Sequence, residues 1–398
     1  MSPGLRTAKV AEMGSSHTPP ESPPRAWAEV CLDRMRDNAR SIAAVAGCPL
    51  MVVVKAGAYG HGLEETARAL STIPETAFFG VANVGEARRI AESGVNTPIY
   101  LLGATWAGER EEVVARGWIP CLSSLEEAQD FERLAAARRC RLTAHLAIDT
   151  GMGRGGFPMD QIPGLMDRLE RMEHLKIDGI GSHFSSADED SETTQRQIAL
   201  FREALAMLGG AERFRWRHLP NSAGLSGYRD DSWNLVRPGL LLYGASPLPG
   251  KGPKVLPTMH LFSRVTLIRT LPAGHGISYG RTYVTERETR VATVGIGYGD
   301  GLPRSLSGQG AEVFVRGQRA PVLGRITMDQ LMVDITALPE VREGDPVELF
   351  GDHIPVTEVA ARAGTIPWEI LTRITPRVTR FHSSRNVETS NPNARADL

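Results

Sequence analysis

The sequence has no cysteine pattern, no excess of one charge and no long apolar run, and each absence argues against a class of protein. Cys31, Cys48, Cys121 and Cys140 are scattered through 398 residues without CxxC or metal-ligand spacing. That points away from a disulfide scaffold or thiolate metal site and towards reduced thiols in the cytoplasm. Lys and Arg number 45 against 46 Asp and Glu, with no long block of either sign. Neither nucleic acid nor an anionic membrane surface is therefore expected as the main partner. No uninterrupted apolar stretch approaches the ~18 residues needed to cross a bilayer. The opening MSPGLRTAKVAEMGSS lacks the apolar core of a signal peptide, so export is not expected.

What is present is a long chain with two textures. Residues 1–24 end in HTPPESPP and residues 385–398 read RNVETSNPNARADL; both are polar segments with nothing to bury, and both are expected to be disordered tails. Between about 25 and 254, short apolar runs alternate with helical patterns. The runs lie at 51–55, 78–82, 98–102, 119–123, 142–148, 177–184, 215–220 and 233–237. Eight strands alternating with helices predict an α/β fold, a closed (β/α)8 barrel rather than an open doubly wound sheet. From 255 to 384 the pattern becomes β-branched runs separated by Gly, Pro and Asp, which predicts an all-β domain with one short helix near VTEVAARAG.

Lys55 closes the apolar run MVVVK and is followed by the glycine-rich AGAYGHG. The C-terminal mouth of a barrel strand is where such folds keep their reactive groups. Dry walls there lower an amine's pKa from about 10.4 towards the range of about 7–8 that suits Schiff-base chemistry. A strand-end lysine is otherwise an ordinary surface residue; the four apolar residues before it and the tight turn after it favour a ligand site.

The segment VVVKAGAYGHG resembles the pyridoxal-phosphate lysine motif of the alanine racemase family. AWAEVCLDRMRDNARSI, DTGMGRGGF, SHFSSADE, LPNSAG, LVRPGLLLYG, LPAGHGISYGRTY, IGYGDG, GRITMDQ and EILTRITPRV follow in the family's order. The resemblance covers about 350 residues and implies a barrel followed by a β domain. It also implies pyridoxal 5'-phosphate as cofactor, alanine as substrate, a homodimer with shared active sites, and D-alanine supplied for peptidoglycan.

The resemblance also implies residue roles. Lys55 would hold the cofactor as an aldimine and act as the base for the D-enantiomer, and Tyr279 would be the opposing base for the L-enantiomer. Racemisation removes a proton from one face of Cα and returns it to the other, which calls for two groups. A free phenol has a pKa of about 10, so neighbouring donors must stabilise a tyrosinate. His183 would bond that tyrosine, with Arg237 beside it. Arg237 would face the pyridine nitrogen and donate without giving up its proton. Ser222, Gly239, Leu240 and Tyr59 would hold the phosphate, near the barrel's last two strands. Arg154, Met328, Asp329 and Tyr298 would meet the substrate, the last three reaching in from the partner subunit as Tyr279 does. No metal is implied.

Three positions depart from the family pattern. Gly57 replaces the usual Asn or Asp and is expected to loosen the turn after Lys55. Ala147 stands where many members carry a carbamylated lysine that orients the arginine equivalent to Arg154, so either a chloride, water or another side chain takes that part or Arg154 is less fixed. Trp368 replaces a phosphate-binding tyrosine. The nearest alternative is a serine or broad-specificity racemase of the same fold. A basic-amino-acid decarboxylase would carry a cysteine-containing C-terminal signature that is missing here. A non-catalytic pyridoxal-phosphate-binding protein is usually a lone barrel.

Overall fold

The structure is a computed structural model that describes residues 24–384. Apart from Pro24, both segments read as disordered tails lie outside the described residues.

The chain opens with β1 (Ala26–Cys31) and α1 (Leu32–Ala46), then enters the barrel at β2 (Leu50–Val53). All four residues of β2 are buried, because a barrel strand packs one face into the interior and the other against helices. The barrel continues through β3 (Thr76–Val81), β4 (Ile99–Leu101), β5 (Cys121–Leu122), β6 (Leu142–Asp149), β7 (Leu175–Gly181) and β8 (Trp216–His218). The ladders β2–β3–β4 and β5–β6–β7–β8 are parallel. Single parallel bridges join them into a ring: Tyr100 with Ile119, His218 with Leu235, and Val236 with Leu50. The eighth expected strand, 233–237, is thus present only as these bridges, and it closes the barrel.

Helices cover the outside. The helical pattern between the runs at 142–148 and 177–184 yields only Leu165–Leu169, because Pro163 has no N–H to give a longer helix and Gly164 takes a left-handed φ of 69° at its cap.

The β domain is a closed antiparallel ring of β9 (Met259–Leu271), β10 (Thr289–Val294), β11 (Glu312–Val315), β12 (Gln318–Leu323), β13 (Leu331–Asp334) and β14 (Pro346–Phe350). Strand β1 lies antiparallel to β9 and parallel to β15 (Thr379–Ser383). By hydrogen bonding, then, residues 26–31 belong to the β domain, although their position in the chain put them with the barrel. Two helices follow β14 instead of the one expected, Val356–Ala363 and Pro367–Arg373. The second begins at Pro367, whose fixed φ and missing N–H suit a first helical position.

Contacts between the two domains are specific. Arg34 on α1 donates to both oxygens of Asp352 at 2.7 and 3.0 Å, and His260 Nε2 lies 3.1 Å from the same carboxylate. The Asn38 side chain donates to the carbonyls of Leu242 and Leu256. No helix among the described residues is long and apolar enough to cross a membrane.

Candidate active site

A cavity of about 980 Å³ opens at the C-terminal ends of the barrel strands, lined by Lys55, Tyr59, Arg154, His183, Ser222 and Arg237 among others. Lys55 follows directly on β2. The next four residues, Ala56, Gly57, Ala58 and Tyr59, all have left-handed φ, from 52° to 62°. Side chains make this conformation costly, by roughly 1–2 kcal/mol per residue, so the three non-glycine positions carry stored strain. The turn is held from inside by Ala58 N–H to Val54 O and Gly60 N–H to Ala56 O. Gly57, at φ 62° with nothing within 4 Å of a Cβ placed there, is the one residue of the four that adopts this conformation freely. The residue that departs from the family pattern thus stands where glycine takes the left-handed backbone without strain. Burial, followed by the charge of Arg154, pulls the Lys55 ammonium below the ordinary lysine range, with Glu86 opposing them.

Arg237 is buried and has no carboxylate partner among the described residues. Its Nη1 donates to the carbonyl of His218 at 2.7 Å and to His218 Nδ1 at 2.6 Å. Its Nη2 donates to His183 Nδ1 at 2.8 Å and to the carbonyl of Ser182. A guanidinium has no acceptor, so both imidazoles must offer a lone pair at Nδ1 and carry their proton on Nε2. His218 Nε2 then donates to His145 Nδ1 at 3.0 Å, which leaves the His145 proton on Nε2, a buried position without a partner among the described residues. Arg237 therefore sets the direction of the whole chain. Burial, then the Arg237 charge, pushes His183 and His218 well below the ordinary histidine range, and burial takes His145 to about 3. All three are neutral. Room for them comes from Gly179 and Gly181 on β7, where a Cβ would fall 2.7 Å from the His145 ring and 2.2 Å from that of His218. Arg237 Nε–H carries no bond to the described residues, leaving one donor for a ligand acceptor.

A second set of donors in the cavity gathers around Ser222 and Tyr59. Ser222 Oγ accepts from the N–H groups of Gly239 at 3.0 Å and Leu241 at 3.3 Å, and its own proton is free to be donated. Tyr59 packs so close to Gly239 that a Cβ there would lie 2.5 Å from the tyrosine oxygen. Burial pushes the Tyr59 phenol up to about 12, so it stays a donor. Trp368 joins the lining from the β domain. Arg154 and Ala147 line the same cavity with Cys121 and Ser123. Arg154 is exposed, and no hydrogen bond or ion pair fixes it among the described residues.

Tyr279, Tyr298, Met328 and Asp329 do not line the cavity. They form a second group on the surface of the β domain, where Tyr279 is 70% and Met328 52% exposed. Tyr298 N–H donates to Thr327 O and Gly299 N–H to Met328 O, tying two of the three loops. Ser278 Oγ donates to Arg325 O at 2.6 Å and ties the third. Tyr279 also sits on a strained turn: Ser278 has φ 63° and Arg281 φ 46°. The structure thus brings Lys55, Tyr59, Arg154, His183, Ser222, Arg237, Gly239, Leu240 and Trp368 together, and it leaves the other four facing outward.

Sequence reading missed His145, His218 and Glu86. For the histidines the available signal was a polar residue at an inward position of an apolar strand, in LTAHLAI and RWRHLP. Glu86, three residues after the helix cap Asn83, gave no signal beyond ordinary capping.

Comparisons with known proteins agree on one family. The description "Alanine racemase, N-terminal domain" matches residues 30–247, and "Alanine racemase, C-terminal domain" matches 258–382. The alanine racemase of Symbiobacterium thermophilum is 39% identical over 365 residues, covering 89% of this chain and 96% of that protein. Among solved structures, the alanine racemase of D-cycloserine-producing Streptomyces lavendulae aligns with a TM-score of 0.85 at 34% identity, covering 93% of this chain and all of that one. The alanine racemase of Bartonella henselae with covalently bound pyridoxal phosphate aligns at 0.82 with 31% identity, covering 91% of this chain and 100% of that one.

Proposed function

The chain belongs to the alanine racemase family, and from that premise we propose how its own residues interconvert L- and D-alanine. Pyridoxal phosphate, implied by the family and bound covalently in the Bartonella henselae relative, would supply the electron sink that makes Cα–H acidic. The donors lining the cavity fit it. Lys55 would bond it covalently, and Arg237 Nε–H would meet its ring nitrogen. The Ser222 and Tyr59 hydroxyls, with the backbone at Gly239 and Leu240, would hold its phosphate beside Trp368. An arginine donor keeps its own proton, so the ring nitrogen stays unprotonated and the sink stays moderate.

Two groups would move the Cα proton. Lys55, its ammonium pulled below the ordinary lysine range by burial, serves the D-enantiomer. Tyr279 of a second copy serves the L-enantiomer from the opposite face. His183, locked with its proton on Nε2 by Arg237, is the donor that would steady the phenolate. Arg154 and, from the second copy, Met328, Asp329 and Tyr298 would bind the substrate. We further place the enzyme in the cytoplasm as a homodimer supplying D-alanine for peptidoglycan; the free thiols of Cys48, Cys121 and Cys140 suit that compartment.

The observation that carries this reading is Lys55 at the head of a strained turn, its amine desolvated in the cavity that Arg237 also lines. Borohydride reduction followed by peptide mapping is expected to place the pyridoxyl group on Lys55, and labelling at another lysine would overturn the assignment. The facial division has its own test. Tyr279→Phe is expected to suppress deuterium exchange at Cα of L-alanine far more than of D-alanine. Equal losses would show that the two faces are not divided this way.

A further inference from the structure

The left-handed turn after Lys55 is the least favourable backbone in the cavity, and such segments persist only where their surroundings over-determine them. The first peptide N–H of that turn, at Ala56, is taken by one side chain from another barrel unit. Glu86 Oε1 accepts it at 2.6 Å, and Oε2 accepts the N–H of Ala82 at 2.9 Å. Glu86 is the third residue of the helix Val84–Glu92, which is fixed in turn by Asn83 Oδ1 accepting from Glu86 N–H at 2.9 Å. Its carboxylate is in no ion pair among the described residues. The neighbouring Arg88 and Arg89 are paired with Glu112 and Glu64.

We propose that Glu86 is a positioning residue for Lys55: it grips the peptide that follows the lysine and so holds the amine over the cavity. The proposal rests on Lys55 being the reactive lysine. The charged groups that act on the Lys55 amine are Glu86, which favours its protonation, and Arg154 and Arg237, which oppose it; neutral His183 stands beside them. Glu86 thus fixes where the amine sits and keeps the arginines and burial from depressing its basicity further.

The molecule contains a control for a merely structural role. Glu127 occupies the same third position of the helix Leu125–Ala137, behind the cap Ser124. Its carboxylate also bridges two loops, accepting from Thr105 N–H at 3.1 Å and Ser123 N–H at 2.9 Å, but neither loop holds a lysine. If such a bridge only stabilises the rim, Glu86→Gln and Glu127→Gln should behave alike.

The test compares Glu86→Gln, Glu86→Asp and Glu127→Gln in the full chain. Two quantities are measured: kcat and KM of the loaded enzyme, and the pH dependence of Lys55 acetylation in the cofactor-free chain, followed by mass spectrometry. Glu86→Gln is expected to lower the pH at which Lys55 titrates. It should also cut kcat by roughly ten- to a hundredfold, as mispositioning of a reacting group does, with little change in KM. Glu86→Asp keeps the charge but falls short of Ala56, so kcat should drop while Lys55 titrates nearly as in the parent. Glu127→Gln should leave the Lys55 titration and kcat unchanged. Unchanged Lys55 titration in Glu86→Gln, or a matching loss in Glu127→Gln, overturns the proposal. Borohydride mapping of the parent separates the two readings. A pyridoxyl group absent from Lys55 defeats the assignment of the lysine, whereas one present there beside an indifferent Glu86→Gln defeats only Glu86.

Discussion

The direction of hydrogen bonding is fixed by Arg237, because a guanidinium can only donate. His218 and His145 are consequently both neutral with the proton on Nε2, and 15N NMR of the histidines should show that tautomer for each. A signal from Nδ1–H at His218 would break the chain. The same burial makes a statement about acid stability. Burial holds both His61 and His145 at about 3 in the folded chain, against roughly 6.5 when unfolded. Below about 6.5 the unfolded chain therefore binds more protons. The stability these groups contribute is complete above that pH and is lost as pH falls towards about 3, by up to ~1.4 kcal/mol per unit for each. Denaturant unfolding at pH 7 and pH 4.5 is expected to show this loss, and His145→Leu should reduce the difference between the two. At this scale the sequence was legible where a motif singles out residues that the fold brings to one cavity, as with Lys55, His183 and Arg237. It was not legible at His145 and His218, because a histidine in an apolar strand looks the same whether it is an isolated core residue or one link of a chain. Only the ring of strands puts β6, β7 and β8 side by side.

Turns and helix starts carry the next level of organisation. Gly57 and Gly60 are three residues apart in one motif, and their structural demands differ. A Cβ on Gly57 meets nothing, whereas on Gly60 (φ 81°) it would lie 2.3 Å from the carbonyl of Leu371. Gly57→Ala is expected to cost about 1 kcal/mol, the left-handed penalty alone. Gly60→Ala must push the helix Pro367–Arg373 away from the turn, and should cost several times more and weaken cofactor retention. Thermal melts and the bound-cofactor absorbance would check this; equal effects would mean that the β domain does not constrain the turn. Strand existence was legible for most of the barrel, where a doubly buried strand is a continuous apolar run such as Leu50–Val53, and weakest at 233–237, which forms only bridges. Strand ends were not legible. The run 177–184 was read through His183, but the strand stops at Gly181, where the backbone turns to place Ser182 and His183 on Arg237. Nor could the run at 26–31 reveal its sheet, because its partners, Met259–Leu271 and Thr379–Ser383, are more than 200 residues away.

On the scale of the whole molecule, the β domain works on the barrel in two places. Within one chain it clamps the lysine turn. Arg380 Nε donates to Gly60 O at 2.8 Å, His382 Nε2 lies 2.6 Å from His61 O, and Thr258 Oγ1 lies 2.9 Å from His61 Nε2. Its other group, Tyr279, Tyr298 and Met328, faces outward, away from the cavity of its own barrel. A shared site is implied by the family resemblance alone; composition and periodicity do not point to it, since exposed aromatics in loops also occur singly on ordinary surfaces. If each site takes Lys55 from one subunit and Tyr279 from the other, two dead variants should repair each other. Lys55→Ala and Tyr279→Phe homodimers each lack one base in both sites. In a hybrid, one site collects both substitutions and the other pairs native Lys55 with native Tyr279. Unfolding and refolding an equal mixture gives hybrids as half of all dimers, each with one intact site of two, so activity should recover to roughly a quarter of the parent's for an isologous C2 pair. If both bases came from the same subunit, every site in the mixture would lack one of them and no activity would return. Sedimentation of the mixture, showing dimers throughout, would establish that any failure to recover lies in the sharing and not in assembly.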